Sequence, residues 1–326
     1  MRSKLIERTL ATLTRYYVFP DVAAKINIEI RRRVAAKKYD GVTSGRAFAE
    51  LLTHDLRVVN HDQHIGVEFS VEPVPDRKVE QELTPAQREQ LHRRFTFSNA
   101  GFVKVERLAG NIGYLRLDAF APSEEAAPRA AAAMSLLADT GALIIDLRSN
   151  GGGWPPTVGL LISYLFPAED ELHLHDVYSR FDGKTHQYWT SIEVSGRRYI
   201  GKPVYVLTSA HTFSAAEGFA YDVQALRRAT IVGEVTGGGA HPSLVEKLDT
   251  NFLLIVPDAR VINMVTHSNW EGIGVKPDVA VPADRALDVA YRAALSIVKP
   301  TIDFKHEPDA VKEIDEAIAK LPPATK

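Results

Sequence analysis

Four groups of residues in this 326-residue chain have types and settings that suit catalysis. Ser214 lies in Thr208-Ser209-Ala210-His211-Thr212-Phe213-Ser214-Ala215-Ala216-Glu217-Gly218-Phe219. There an apolar run, Pro203 to Leu207, hands over through small residues to a helical pattern, Ala215 to Leu226. A serine in that place has the free N–H groups of a helix start beside its oxygen. It either caps the helix or presents a nucleophile next to an oxyanion site. The second group is Asp146-Leu147-Arg148-Ser149-Asn150-Gly151-Gly152-Gly153, directly after another apolar run. Successive glycines permit positive φ and let amides face a ligand. The segment is therefore a flexible strand–helix loop or an oxyanion-binding turn; it lacks the lysine and Ser/Thr of a phosphate-binding P-loop. The third is His64, since a serine nucleophile needs a base. The chain has 11 histidines, and His54, His61, His211 and His241 compete for the role; proximity in space, not in sequence, decides. The fourth is Glu271, in the Gly- and Pro-marked loop Ser268 to Asp278. An acid there is either solvated or holds the histidine in place.

Other chemistries have little support. The chain has no cysteine, which removes disulfides, thiol nucleophiles and thiolate metal sites. H-E-x-x-H is absent, and His173-Leu174-His175 offers two ligands on a strand face without an evident partner. No metal and no cofactor is expected. A formal net charge of -2 gives no general attraction to nucleic acid. No apolar run is long enough to span a bilayer. Met1 to Phe19 is amphipathic and carries Arg2, Lys4, Glu7 and Arg8, so it does not read as a secretory signal. The compartment stays open: periplasmic or secreted if a leader was removed, cytoplasmic otherwise.

The elements that must position these residues follow from hydrophobic periodicity. Leu5, Ile6, Leu10 and Leu13 keep helical spacing, a second helix runs from Pro20 to Val34, and Thr43 or Ser44 caps a third over Ala47 to Val59. Arg31-Arg32-Arg33 reads as a solvated helix face. Alternation from Ile65 predicts a strand, and Thr84-Pro85 caps a short helix within a polar stretch over 73–100. Beyond about residue 111, strands and helices alternate. Ala142 to Leu147 and Val204 to Leu207 read as strands buried on both faces. Phe252 to Val256 and Val261 to Val265 suggest a hairpin around Pro257-Asp258. Ala286 to Val298 is helical, and a charged tail follows with a short helix over Ala310 to Leu321 and a frayed Pro-Pro end. This is an α/β chain behind a helical start. We divide it into a helical domain (1–66), connecting strands and helix (67–108), an α/β core (109–300) and a tail (301–326).

Taken together, the chain resembles the C-terminal processing (tail-specific) serine peptidases, in the branch of tricorn core proteases and interphotoreceptor retinoid-binding protein modules. The resemblance rests on Tyr16-Tyr17-Val18-Phe19-Pro20 and Asn60 to Val67, Gly110 to Leu115, Asp146 to Gly153, Thr208 to Gly218, Val232 to Gly238 and Trp270 to Asp278. It implies a crotonase- or ClpP-like core of β-β-α units. It also implies Ser214 as nucleophile and an oxyanion hole from the amide of Gly152 or Gly153 with that of Ala215. Processing proteases pair the serine with a lysine, but the matching place reads Gly237-Gly238-Gly239-Ala240-His241. The tricorn-like pattern instead implies His64 as base and Glu271 as its partner. That pattern has a serine just before the histidine; here Gln63 takes the place, altering any relay. The implied partner is a peptide or unfolded protein, and relatives are often oligomeric. The retinoid-binding relatives imply an alternative, a binder of retinoid, fatty acid or another apolar ligand. No space for an inserted PDZ module is left within 73–100.

Overall fold

The computed structural model describes residues 2–74, 84–303 and 305–322. Part of the polar stretch that precedes the Thr84-Pro85 cap, and the end of the charged tail after Pro322, lie outside the described residues. In chain order the elements are α1 (Arg2–Tyr16), α2 (Pro20–Ala35), α3 (Gly45–Asn60), β1 (Gly66–Phe69), α4 (Pro85–Phe97), β2 (Phe102–Leu108), β3 (Ile112–Leu117), α5 (Ser123–Leu137), β4 (Ala142–Asp146) and α6 (Pro155–Ser163). There follow β5 (His173–Ser179), β6 (Lys184–Trp189), β7 (Val204–Thr208), α7 (Ala215–Ala225), β8 (Thr230–Gly233), β9 (Ser243–Asp249), β10 (Phe252–Pro257), β11 (Ala259–Asn263), β12 (Val279–Ala280), α8 (Ala283–Val298) and α9 (Pro308–Lys320). The protein is thus mixed α/β with a helical N-terminal region.

The chain clusters into two compact units whose membership does not follow sequence order. The first comprises Met1–Thr84, Asp176–Gln187 and Gly239–Ile262. Its helices are amphipathic: Leu5, Leu10, Leu13, Ile26, Ile30, Leu52 and Leu56 are buried together with Leu244, Leu254 and Val256 of β9 and β10. Ser44 caps α3 by accepting the Ala47 N–H, and His61 ends it in a left-handed conformation (φ 59°). That ending turns the chain into Asp62-Gln63-His64 and then β1, which pairs antiparallel with β10. The three neighbouring arginines are not one solvated face. Arg31 and Arg32 are exposed, whereas Arg33 is buried against Glu29 and Asp55.

The second unit comprises Pro85–His175, Tyr188–Gly238 and Asn263–Lys326. Its centre is a six-stranded sheet of order β12-β8-β7-β4-β3-β2, parallel except for β2. β4 and β7 are buried along their whole length, as continuous apolar runs in a parallel sheet must be. On one face Ile112, Ile144, Leu207 and Val232 pack with Ala286, Ala290, Ala294 and Leu295 of α8. Leu115, Leu143, Ile145, Val206 and Ile231 alternate with them and are also buried. Because β4, β7 and β8 are parallel neighbours, their carboxyl ends lie side by side. Each leads into one of the segments singled out by sequence: Leu147 to Gly153, Ser209 to Ser214, and Glu234 to Gly238. Open parallel sheets place their sites at that edge.

The predicted hairpin around Pro257-Asp258 does not form. β10 lies between β1 and β9, whereas β11 lies beside β5 in a different three-stranded sheet, β11-β5-β6. The Asp258 and Ala259 amides both donate to Pro242 O, so the chain turns from one sheet into the next instead of back on itself. β12 is a two-residue edge segment that pairs parallel with β8.

Candidate active site

Ser214 is half-buried at the start of α7 with φ 55° and ψ -121°. An ordinary capping serine has extended backbone. A non-glycine residue in this sparsely populated region is strained by about 1–3 kcal/mol and persists only where its surroundings over-determine it. They do here. The amide of Phe213 donates to Asn150 O at 3.0 Å, and that of Ser214 donates to Glu217 Oε2 at 2.8 Å. The Gly218 amide closes the first helical turn on Ser214 O. Upstream, the Thr212 hydroxyl donates to Leu147 O and the Ser209 hydroxyl to Arg148 O. The strand-to-helix turn is thus stitched to the glycine segment at several points. A strained residue at a strand-to-helix turn is thereby held from both sides.

The glycine segment meets the turn closely. A Cβ added to Gly152, at φ 103°, would stand 2.8 Å from Ser214 Cβ and 3.0 Å from the Ala215 nitrogen. Only glycine permits that approach. Gly153, at φ 139°, is held by a bridge to Phe120, and a Cβ there would lie 2.0 Å from Phe120 O. The Gly152 amide donates to Asn150 Oδ1 at 2.8 Å. The Gly153 and Ala215 amides have no acceptor among the described residues.

Asn150 was not singled out by its sequence, yet it organises the loop. It is fully buried. Its Nδ2 donates to Leu117 O, its Oδ1 accepts from Gly152, and its backbone oxygen accepts from Phe213. Asp146, at the end of β4, accepts from the Tyr114 hydroxyl and from the Arg148 guanidinium. Burial pushes its carboxyl up, but those donors prevail and hold it below the usual range. Glu217 is also fully buried and was also missed, although Ser214-x-x-Glu217 is a capping-box spacing.

Glu271 is half-buried, with its amide donating to Asn269 Oδ1. Its loop is pinned by bonds from Gly272 N to Gly238 O and from Val275 N to Thr236 Oγ1. Trp270, beside it, is buried over Gly218 of α7. The second unit therefore gathers Ser214, Ala215, Gly152 and Gly153, and ties the loop of Glu271 to the same strand ends.

His64 and Gln63 belong to the first unit. The His64 amide donates to Asp62 Oδ1 at 3.0 Å. Burial drives the His64 imidazole down to about 4; Asp62 opposes this, and His241 and Arg57 add to it. Asp62 is buried and accepts from the Tyr17 hydroxyl at 3.0 Å, with His241 Nδ1 also at 3.0 Å. Despite its burial, those partners, His241 foremost, hold its carboxyl below the usual range. His241 is itself buried, while His54, His61 and His211 are exposed. Gln63 is exposed and bonds back to His61 O, within its own turn. His173 stacks on Trp189, and His175 is buried with its Nδ1 2.8 Å from Asp222 Oδ2.

Residues 111–281 match Peptidase family S41, and residues 2–96 match the N-terminal domain of that family in eukaryotic IRBP. A carboxyl-terminal-processing protease from Synechocystis sp. is 29% identical over 212 residues, 62% of this chain and 47% of the relative. The chain thus spans about half the length of that curated relative. Among solved structures, a lipoprotein from Streptococcus agalactiae has a TM-score of 0.60 at 15% identity, covering 90% of this chain and 96% of the other. The photosystem II D1 C-terminal processing protease has a TM-score of 0.53 at 17% identity, covering 87% and 93%. With a strained serine at a strand-to-helix turn, a glycine segment packed against it and a family match across both, this chain belongs to peptidase family S41.

Proposed function

We propose that the protein is a serine endopeptidase acting on peptides or unfolded segments, with Ser214 as nucleophile. The observation that carries this is the Ser214 backbone, held at φ 55° against the Gly152 segment. In this reading the core is crotonase- or ClpP-like, which the β-strand order and the site at the strand ends support. His64 takes the Ser214 hydroxyl proton as Oγ bonds to the scissile carbonyl carbon. The carbonyl π electrons move to oxygen, and the amides of Gly153 and Ala215 receive that oxyanion. Gly152, whose own amide is engaged by Asn150, shapes the turn. Each such donor is worth about 3–4 kcal/mol in well-studied cases. The proton passes from His64 to the leaving amine as the C–N bond breaks, and water then releases the acyl group by the same steps in reverse. Burial keeps the His64 imidazole neutral, the form a base needs. Glu271 orients it, and Gln63 stands in place of a relay serine.

The match of residues 2–96 to the IRBP-type domain favours one second reading, a binder of an apolar ligand with little or no hydrolysis. A fluorophosphonate probe separates the two. The peptidase reading expects covalent labelling that Ser214→Ala abolishes and His64→Ala slows by orders of magnitude. Labelling that persists in Ser214→Ala removes the nucleophile assignment; no labelling, with tight retinoid or fatty-acid binding, establishes the second reading.

A further inference from the structure

Glu217 is a fully buried carboxylate on α7, and a helix cap alone does not account for its bonds. A carboxylate out of water needs several donors to offset its desolvation. Its Oε2 accepts the Ser214 amide at 2.8 Å. Its Oε1 accepts the Thr236 hydroxyl at 2.5 Å and the Gly238 amide at 2.7 Å. Capping explains the first bond only; the others come from the segment after β8. From there the bonds continue. Thr236 Oγ1 accepts the Val275 amide at 2.7 Å, and Gly238 O accepts the Gly272 amide at 2.9 Å. One hydrogen-bonded path therefore runs from the amide of Ser214, through a single carboxylate, to both ends of the loop that begins with Glu271.

We propose that Glu217 is a positioning residue, whose carboxylate holds Ser214 in its strained turn and fixes that turn against the Glu271 loop. Glu217 does not touch substrate; it makes the nucleophile and the acid loop parts of one scaffold. The proposal rests on Ser214 being the nucleophile, and the experiment separates the two.

Fluorophosphonate inactivation of the full chain is resolved into the binding constant KI and the rate kinact, with thermal unfolding in parallel. Glu217→Gln keeps the shape, but its amide nitrogen must face a donor on one side, so one branch of the path is lost. Thr236→Val removes the hydroxyl branch, and Thr236→Ser keeps it. Small misplacements of a nucleophile cost up to about 100-fold, so kinact is expected to fall about 10- to 100-fold in Glu217→Gln with KI unchanged. It falls in Thr236→Val and returns to the wild-type value in Thr236→Ser. A folded Glu217→Gln that reacts at the wild-type kinact overturns the proposal. If Glu217→Gln does not fold, the Thr236 pair decides: equal kinact in Thr236→Val and Thr236→Ser overturns it. Wild-type protein that is not labelled at Ser214 overturns the serine reading and this proposal together.

Discussion

Ser214 holds a backbone conformation that glycine adopts freely and alanine does not, so stability and reactivity should part at this residue. Ser214→Gly relieves strain of about 1–3 kcal/mol and loses about 1 kcal/mol to the greater freedom of the unfolded chain. It is expected to unfold at a higher temperature than Ser214→Ala, though both are unreactive toward the probe. A calorimetric melt in which Ser214→Gly is the less stable of the two contradicts the strain argument. His64 gives a prediction in pH. Its imidazole is held at about 4 by burial, against an ordinary value of 6.5, so the unfolded state binds the proton first as pH falls. The stability it contributes is full above 6.5 and is lost as pH falls toward 4. His64→Gln should flatten the melting temperature across that window. The acid limb of probe reactivity should centre near pH 4; a limb at 6.5 points to a different base.

At the scale of elements, three parallel strands deliver three loops to one edge, and Asn150 locks two of them together. Asn150→Ala leaves the Gly152 amide and Leu117 O without their partner, and each buried orphan costs about 1–3 kcal/mol. Urea unfolding should show a loss of that order, with slower labelling of Ser214. Wild-type stability and labelling would make the asparagine incidental. These elements also show how much the sequence made legible. Apolar runs at Ala142 and Val204 announced buried strands because they are short, continuous and bounded by turn residues, as strands covered on both faces are. Ser214 and the glycines announced a turn because few residue types tolerate it. Asn150 and Glu217 stayed hidden, since a buried polar side chain is recognisable only once its donors and acceptors are in place. The hairpin at Pro257 misled for a related reason: two strands joined by a short link usually pair, and the carbonyl of Pro242 that redirects this one is remote in the chain.

At the scale of the molecule, the chain passes between its two compact units more than once, so neither unit is a continuous segment. Helices α1 to α3 need β9 and β10 to cover their apolar faces, and β1 needs β10 as its partner. A fragment of residues 1–84 is therefore expected to lack a cooperative thermal transition. Circular dichroism showing a sharp melt of that fragment would mean the helices suffice alone. No helix among the described residues is long and apolar enough to cross a membrane.

The pairing of Gly66 with Ile255 also sets a timetable. A ribosome adding about 5–20 residues per second leaves the first helices waiting roughly ten to forty seconds for the strands that cover them. Throughout that interval the nascent chain carries the apolar faces of α1 to α3 uncovered. Synthesis of this protein should therefore draw on a chaperone that holds nascent chains, and the demand should ease when residue 257 clears the exit tunnel.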